Sequence, residues 1–228
     1  MPGRETRQNQ PRNPGGSVMD WLAYETKAAL AGYKSVCGID EAGRGPLAGP
    51  VFAAAVILPE GLLIEGVNDS KKLSPKKREK LYEDITRNAV SWAVASADEK
   101  EIDEFNILQA TFLAMRRAVG QLSVRPDLCL VDGSLLPGLD IRSKALVGGD
   151  ALSASIACAS ILAKVSRDRY MQALALEYPQ YAFEKHKGYG TPLHYSLIER
   201  YGVSPVHRVS FLKKLNPMPG GGGQPAQK

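Results

Sequence analysis

Gly38-Ile39-Asp40-Glu41-Ala42-Gly43-Arg44-Gly45-Pro46 is the stretch around which the chain is organised. The apolar run from Val36 to Ile39 reads as a strand that delivers two adjacent carboxylates at its end. Gly43, Gly45 and Pro46 then break regular structure, with Arg44 between the glycines. Acids at a strand tip suit a divalent cation. A glycine-rich turn beside them lets backbone N–H groups approach a ligand closely, because no side chain stands in the way. Together these features point to a phosphate or sugar-phosphate substrate. An Asp-Glu pair is also common on solvated surfaces, and a Gly-Pro loop is often only a turn, so this stretch alone leaves both readings open. It is not the dinucleotide fingerprint: position 48 is alanine, Gly49 comes one residue late, and Pro46 and Pro50 interrupt.

Outward from this stretch, Val36 to Asp40 is the first predicted strand and Val51 to Leu58 the second, closed by Pro59. Val90 to Ser96 alternates with period two and gives a third; Leu128 to Asp132 gives a fourth and Ile141 to Val147 a weaker fifth. Asp20 to Leu30 reads as a short helix stopped near Gly32. Ser74-Pro75 offers an N-cap and a first-turn proline for a helix to about Asn88. Another helix is expected from near Asn106 to Gly120, with Leu108, Phe112, Met115 and Val119 on one face. A long one runs from Ala151 to about Glu177 and is stopped by Pro179; a last one follows Thr191-Pro192 as far as Tyr201. The order predicts an α/β protein: one mixed five-stranded sheet flanked by helices, with a small C-terminal helical portion.

The chain has 228 residues, 44% hydrophobic and 23% charged, with a net charge of +5. That fits one globular domain and is compatible with a polyanionic partner, without requiring one. Residues 1–17 and 216–228 have too little apolar surface to offset chain entropy and are expected to be disordered tails around a catalytic domain at 18–215. Cys37, Cys129 and Cys158 stand at no metal-ligand spacing and read as buried thiols in a reducing compartment. With no run of 18 apolar residues and no signal-peptide core, the expected location is cytoplasmic, with no membrane partner.

Two further acids occupy informative positions. Asp132 ends the fourth strand with glycine directly after it, and Asp150 follows Gly148-Gly149 at the start of the long helix. If the first and fourth strands are parallel neighbours, Asp40 and Asp132 share one carboxyl edge, where open α/β sheets place their ligands. A parallel fifth strand brings Asp150 there too. Four acids gathered at one edge repel unless cations neutralise them. The oxygen-only set Asp40, Glu41, Asp132 and Asp150 suits Mg²⁺ or Mn²⁺ and two-metal phosphodiester chemistry. Asp150 reads equally well as a helix N-cap, and Asp132 as a turn residue.

The run from Asp40 through Gly43-Arg44-Gly45-Pro46 to Val51 resembles the opening signature of bacterial ribonuclease HII. Asp69-Ser70-Lys71-Lys72-Leu73, Val131-Asp132-Gly133, Gly149-Asp150 with Ser155 to Ile161, and His186-Lys187-Gly188-Tyr189-Gly190-Thr191 continue the resemblance in order, to about Phe211. Cys158 stands where the family usually has alanine, and the two tails look particular to this chain. The resemblance implies a ribonuclease H-like fold and an endonuclease dependent on Mn²⁺ or Mg²⁺. It further implies cleavage on the 5′ side of a ribonucleotide embedded in or hybridised to DNA, leaving 3′-hydroxyl and 5′-phosphate ends. By position, Asp40, Glu41, Asp132 and Asp150 resemble the metal-binding catalytic carboxylates. Gly43, Arg44 and Gly45 resemble the loop that reads the ribose 2′-hydroxyl, and Tyr189 the tyrosine packing on the next sugar. Lys71 is a candidate substrate contact. The expected partners are an RNA–DNA hybrid and DNA duplex containing ribonucleotides, bound by a monomer.

The remaining basic residues give weaker signals. Lys71, Lys72, Lys76, Lys77 and Arg78 crowd the start of the helix at Ser74, where cations oppose the helix dipole; an anionic partner or a solvated face explains them. Lys164, Arg167 and Arg169 are expected to follow a phosphate backbone. His186, His194 and His207 are scattered along the chain and receive no chemistry. The rival readings are a resolvase-type nuclease of the same fold and a nucleic-acid-binding protein without activity. The Gly-Arg-Gly loop with Tyr189 weighs against the first, and the intact acids against the second.

Overall fold

Val51-Phe52-Ala53-Ala54-Ala55-Val56-Ile57 forms a strand in which every residue but Phe52 is buried, and its small side chains are why two helices can close on the sheet. A computed structural model describes residues 20–67 and 73–212. Both predicted tails and Lys71 lie outside the described residues. In chain order the elements are α1 (Ala23–Leu30), β1 (Val36–Ala42), β2 (Val51–Ile57), α2 (Pro75–Asn88), β3 (Ser91–Ala97) and α3 (Glu99–Gly120). They continue with β4 (Leu128–Asp132), β5 (Ser143–Leu146), α4 (Ala154–Glu177), α5 (Phe183–His186) and α6 (Pro192–Tyr201).

The five strands form one sheet in the order β3-β2-β1-β4-β5. β1, β4 and β5 run parallel, while β2 is antiparallel to both its neighbours, so the sheet is mixed as predicted. Alternation along β2 sends Ala53, Ala55 and Ile57 into one core with Ala110, Ala114, Met115 and Ala118 of α3. Ala54 and Val56 face the opposite core with Ala157, Ile161 and Leu162 of α4. On β1, Gly38 lets α4 lie directly on the strand: a Cβ there would fall 2.1 Å from the backbone carbon of Ser155. The three cysteines are free and buried, as expected.

Several boundaries differ from the sequence expectation for identifiable reasons. β1 continues to Ala42 because Glu41 and Ala42 pair with Ala53 and Phe52 of β2 after the parallel pairing with β4 has ended at Ile39. α3 begins at Glu99, not near Asn106, because Asp98 and Glu101 form a reciprocal capping box at 2.9 and 3.0 Å. Asn106 interrupts it at φ 70°, and its side-chain oxygen then accepts from Leu108 and Gln109 to restart the helix. The predicted start was therefore the second of two. α2 and α6 match their caps: Ser74 and Thr191 each accept from the third residue of the helix that follows. The segment read as a polar loop after Pro179 contains the short α5, whose Phe183 is buried with Tyr181, Leu47 and Met171.

Candidate active site

The β1–β4 register pairs Ile39 with Val131, so Asp40 and Asp132 occupy equivalent places one residue on, at the carboxyl edge of two parallel strands. Asp132 in turn pairs with Leu146 of β5. Beyond β5 the chain enters a single 3₁₀ turn, Gly149–Ala151, whose first N–H donates to Asp132 Oδ1 at 2.6 Å. Asp150 thus arrives at the same edge, but it neither begins nor caps the long helix. Ser153 is the cap of α4, accepting from Ile156, so the N-cap explanation of Asp150 is removed.

Asp40 is buried and accepts from the Glu41 N–H at 2.7 Å and from the Ser160 hydroxyl of α4. Burial pushes its carboxyl well above the usual range, the Glu41 and Asp132 charges push it further, and the two hydrogen bonds oppose them. The Glu41 carboxyl is also raised, chiefly by burial; Arg44, 3.4 Å away, counters this and Asp132 adds to it. Among the described residues no three acids, histidines or cysteines are already drawn together to hold one ion. The fit to a hard divalent cation therefore rests on the donors: three carboxylates in one electrostatic field, all oxygen, with Asp150 in the turn whose first N–H bonds Asp132.

The Gly43–Pro50 loop is held from beneath by two buried arginines. Arg208 donates to the carbonyls of Gly43 (2.7 Å), Arg44 (3.0 Å) and Gly49 (2.8 Å). Arg167 donates to those of Ala48 and Pro50 (both 3.2 Å) and of Lys187 (3.0 Å). Burial lowers both guanidinium pKa values, Arg208's to about 9 with its neighbour Arg167 contributing, so Arg208 remains cationic at neutral pH. The loop's carbonyls are thereby engaged inward by charge-assisted bonds. Gly43 is required at its position twice over: φ is +97°, and a Cβ would sit 2.0 Å from Arg167 Nε. The expectation that Arg167 follows a phosphate backbone is overturned, because its side chain is enclosed and each of its three nitrogens already donates to a backbone carbonyl.

Tyr189 lies beside this loop. A Cβ at Gly45 would lie 3.7 Å from Tyr189 Cε1, and the ring lies 5.8 Å from the Arg167 guanidinium carbon. The adjoining Gly188 carbonyl accepts from the Leu47 N–H at 2.8 Å. Other basic residues are engaged elsewhere: Lys164 with Asp168 at 2.7 Å, Arg169 with Glu79 at 2.5 Å, and Arg78 with the Leu73 carbonyl at 2.6 Å. Lys76 and Lys77 are exposed on the first turn of α2. Sequence reasoning passed over Arg208 and the three histidines, which gather behind Tyr189 in a buried cluster.

Comparison with known proteins shows which family this chain belongs to. The family model described as Ribonuclease HII matches residues 37–214. The chain belongs to the ribonuclease HII family. A ribonuclease HII from Caldicellulosiruptor saccharolyticus is 59% identical over 196 residues, covering 86% of this chain and 96% of its own length. The crystal structure of ribonuclease H2 from Pyrococcus horikoshii OT3 superposes with a TM-score of 0.65 at 30% identity, over 77% of this chain and 93% of that one. Bst-RNase HIII in complex with Mn²⁺ shares the fold, with a TM-score of 0.60 at 21% identity, covering 77% of this chain and 65% of that one. The protein is accordingly a ribonuclease H, a hydrolase acting on the RNA of RNA–DNA hybrids. Among the described residues no helix is long and apolar enough to cross a membrane.

Proposed function

We propose that the protein cuts the phosphodiester on the 5′ side of a ribonucleotide embedded in or hybridised to DNA, leaving 3′-hydroxyl and 5′-phosphate ends. The observation that carries this reading is the convergence of Asp40 and Asp132 at one sheet edge with the Gly43–Gly45 loop and Tyr189 beside them. Asp40, Glu41, Asp132 and Asp150 hold the ions, Mn²⁺ or Mg²⁺, and the manganese found in the fold relative Bst-RNase HIII supports that choice. Bound there, two divalent ions supply an activated water and a stabilised leaving oxygen. The Gly43-Arg44-Gly45 backbone, with the Gly43 and Arg44 carbonyls engaged inward by Arg208, presents its remaining polar groups to the 2′-hydroxyl, which both donates and accepts. Tyr189 packs on the following deoxyribose, and exposed Lys76 and Lys77, with Lys71 beside them in sequence, meet phosphates. The catalytic unit spans 18–215 and acts as a cytoplasmic monomer; the family match over 37–214 supports its extent.

The test is single-turnover cleavage of matched duplexes carrying zero, one or many ribonucleotides, with the product ends mapped. A single embedded ribonucleotide should be cut once on its 5′ side, and all-DNA left intact. Equal cutting of all three duplexes would leave only a general nuclease.

A further inference from the structure

His186, His194 and His207 are 7%, 0% and 2% exposed, and every imidazole nitrogen has a hydrogen-bond partner. The partners fix the protons. His186 Nε2 faces the Tyr181 carbonyl at 2.8 Å and must donate, so its Nδ1 accepts from the Gly188 N–H at 3.2 Å. His194 Nδ1 faces the Tyr189 carbonyl at 3.0 Å and must donate, so its Nε2 carries the lone pair. His207 Nδ1 accepts from the Ser204 N–H at 3.0 Å, so its Nε2 donates to His194 Nε2 at 3.1 Å. A single set of neutral tautomers satisfies all of these bonds.

The cluster is directed at one place. His186 holds the N–H of Gly188, His194 holds the carbonyl of Tyr189, and the two rings stack at 4.2 Å. Tyr189 is therefore gripped through its own carbonyl, which also accepts from the Thr191 N–H at 2.8 Å, and through the amide of the residue before it. Its ring, 44% exposed, has little freedom left beyond its two side-chain torsions. We propose that His186, His194 and His207 are positioning residues that set the placement of Tyr189, and with it selectivity for the ribonucleotide–deoxyribonucleotide junction. This rests on the reading of Tyr189 as the residue that packs on the deoxyribose.

The experiment is a double-mutant cycle, since coupling between positions separates positioning from general packing. His194→Phe keeps a ring of similar size and removes both of its bonds. His194→Asn places an amide N–H near the position of Nδ1 and so keeps the bond to the Tyr189 carbonyl. Each is made alone and with Tyr189→Ala, and read by melting temperature, duplex Kd and single-turnover cleavage at one embedded ribonucleotide. His194→Phe should lower the cleavage rate by about tenfold, less than the hundredfold typical of a full ångström of misplacement. Kd should barely move, His194→Asn should recover most of the rate, and His194→Phe should add nothing once Tyr189 is alanine. An equal fall in both backgrounds, or no recovery by asparagine, overturns the positioning role. If Tyr189→Ala slows cleavage and folded His194→Phe does not, positioning fails while the reading of Tyr189 stands. An indifferent Tyr189→Ala removes that reading and the proposal together. Should His194→Phe not fold, His207→Phe, one bond further from Tyr189, replaces it with an expected fall of about threefold. If neither folds, the cluster is core packing and the proposal fails.

Discussion

Replacing Gly43 by alanine should damage the reading loop far more than the same change at Gly45, two residues away. At Gly43 the new methyl group meets Arg167 Nε at 2.0 Å and Cδ at 2.3 Å, on a backbone held at φ +97°. Arg167 is 1% exposed and anchored on three carbonyls, so it cannot swing aside into solvent. Backbone strain costs about 1–2 kcal/mol. Displacing the guanidinium breaks at least one charge-assisted bond, roughly 1.5–3 kcal/mol each. The sum, about 3–5 kcal/mol, corresponds to a fall in melting temperature of roughly 6–20 °C for a domain of this size. At Gly45 the nearest atom to the added methyl is Tyr189 Cε1 at 3.7 Å, an ordinary contact. Gly45→Ala should therefore melt within about 2 °C of wild type. It should nonetheless cut an embedded ribonucleotide more than about tenfold more slowly, because the methyl stands where the substrate must approach. Thermal melting and single-turnover cleavage of both variants check this. A Gly43→Ala variant that melts like wild type would refute the account of Arg167 as a fixed support.

Asp40→Asn should abolish cleavage yet raise the melting temperature of the metal-free protein at neutral pH. The folded carboxyl is raised above its unfolded value, so ionised Asp40 costs stability above that raised value. The cost fades as pH falls through it towards about 3.9, so the advantage of Asp40→Asn in melting scans with chelator should shrink on acidification. The histidine cluster has its own pH signature. Burial lowers His194 and His207 to about 4, below an unfolded value of about 6.5, so the unfolded chain takes up protons first and stability falls between those limits. Imidazole NMR should find both rings neutral at pH 5; a charged ring there would contradict the tautomers assigned above.

What the sequence made legible was what local pattern determines. Asp132 ends β4 and Asp40 stands just past the parallel pairing of β1, each followed within a few residues by glycine; their convergence at one edge was conditional in the sequence on β1 and β4 being parallel neighbours, which they are. Asp150 lies at that edge by a different route, because nothing local distinguishes a separate 3₁₀ turn, followed by the Ser153 cap of α4, from an earlier start of that helix. Of the two arginines beneath the loop, Arg208 escaped notice and Arg167 was assigned to a phosphate backbone, because charge suggests exposure. Yet Arg167 lies between Ala163 and Met171 at intervals of four, on the buried stripe of α4, and that periodicity was a readable signal. The histidines carried no such sign. They lie 8 and 13 residues apart in the sequence, and only the packing of α5 and α6 against the 203–212 segment makes them neighbours.

The amount of buried polar machinery behind so small a loop has a physical rationale. A hydrogen bond to one hydroxyl is worth about 0.5–1.5 kcal/mol net, at most roughly tenfold in rate or affinity. Discrimination beyond that must come from geometry: a substrate lacking the hydroxyl has to leave its scissile phosphate displaced from the carboxylates, where about 1 Å costs on the order of a hundredfold. A loop that yielded to the substrate would lose that leverage, because it would follow the wrong duplex as readily as the right one. Arg208 and Arg167 fix the loop by its carbonyls, and the histidines fix Tyr189 by its backbone. The acids are held separately, Asp40 by Ser160 and Asp132 by the Gly149 N–H, on the sheet itself. On the proposed function, reading and cutting would thus be mounted on one frame, so that an error of placement at the sugar would become an error of placement at the phosphate.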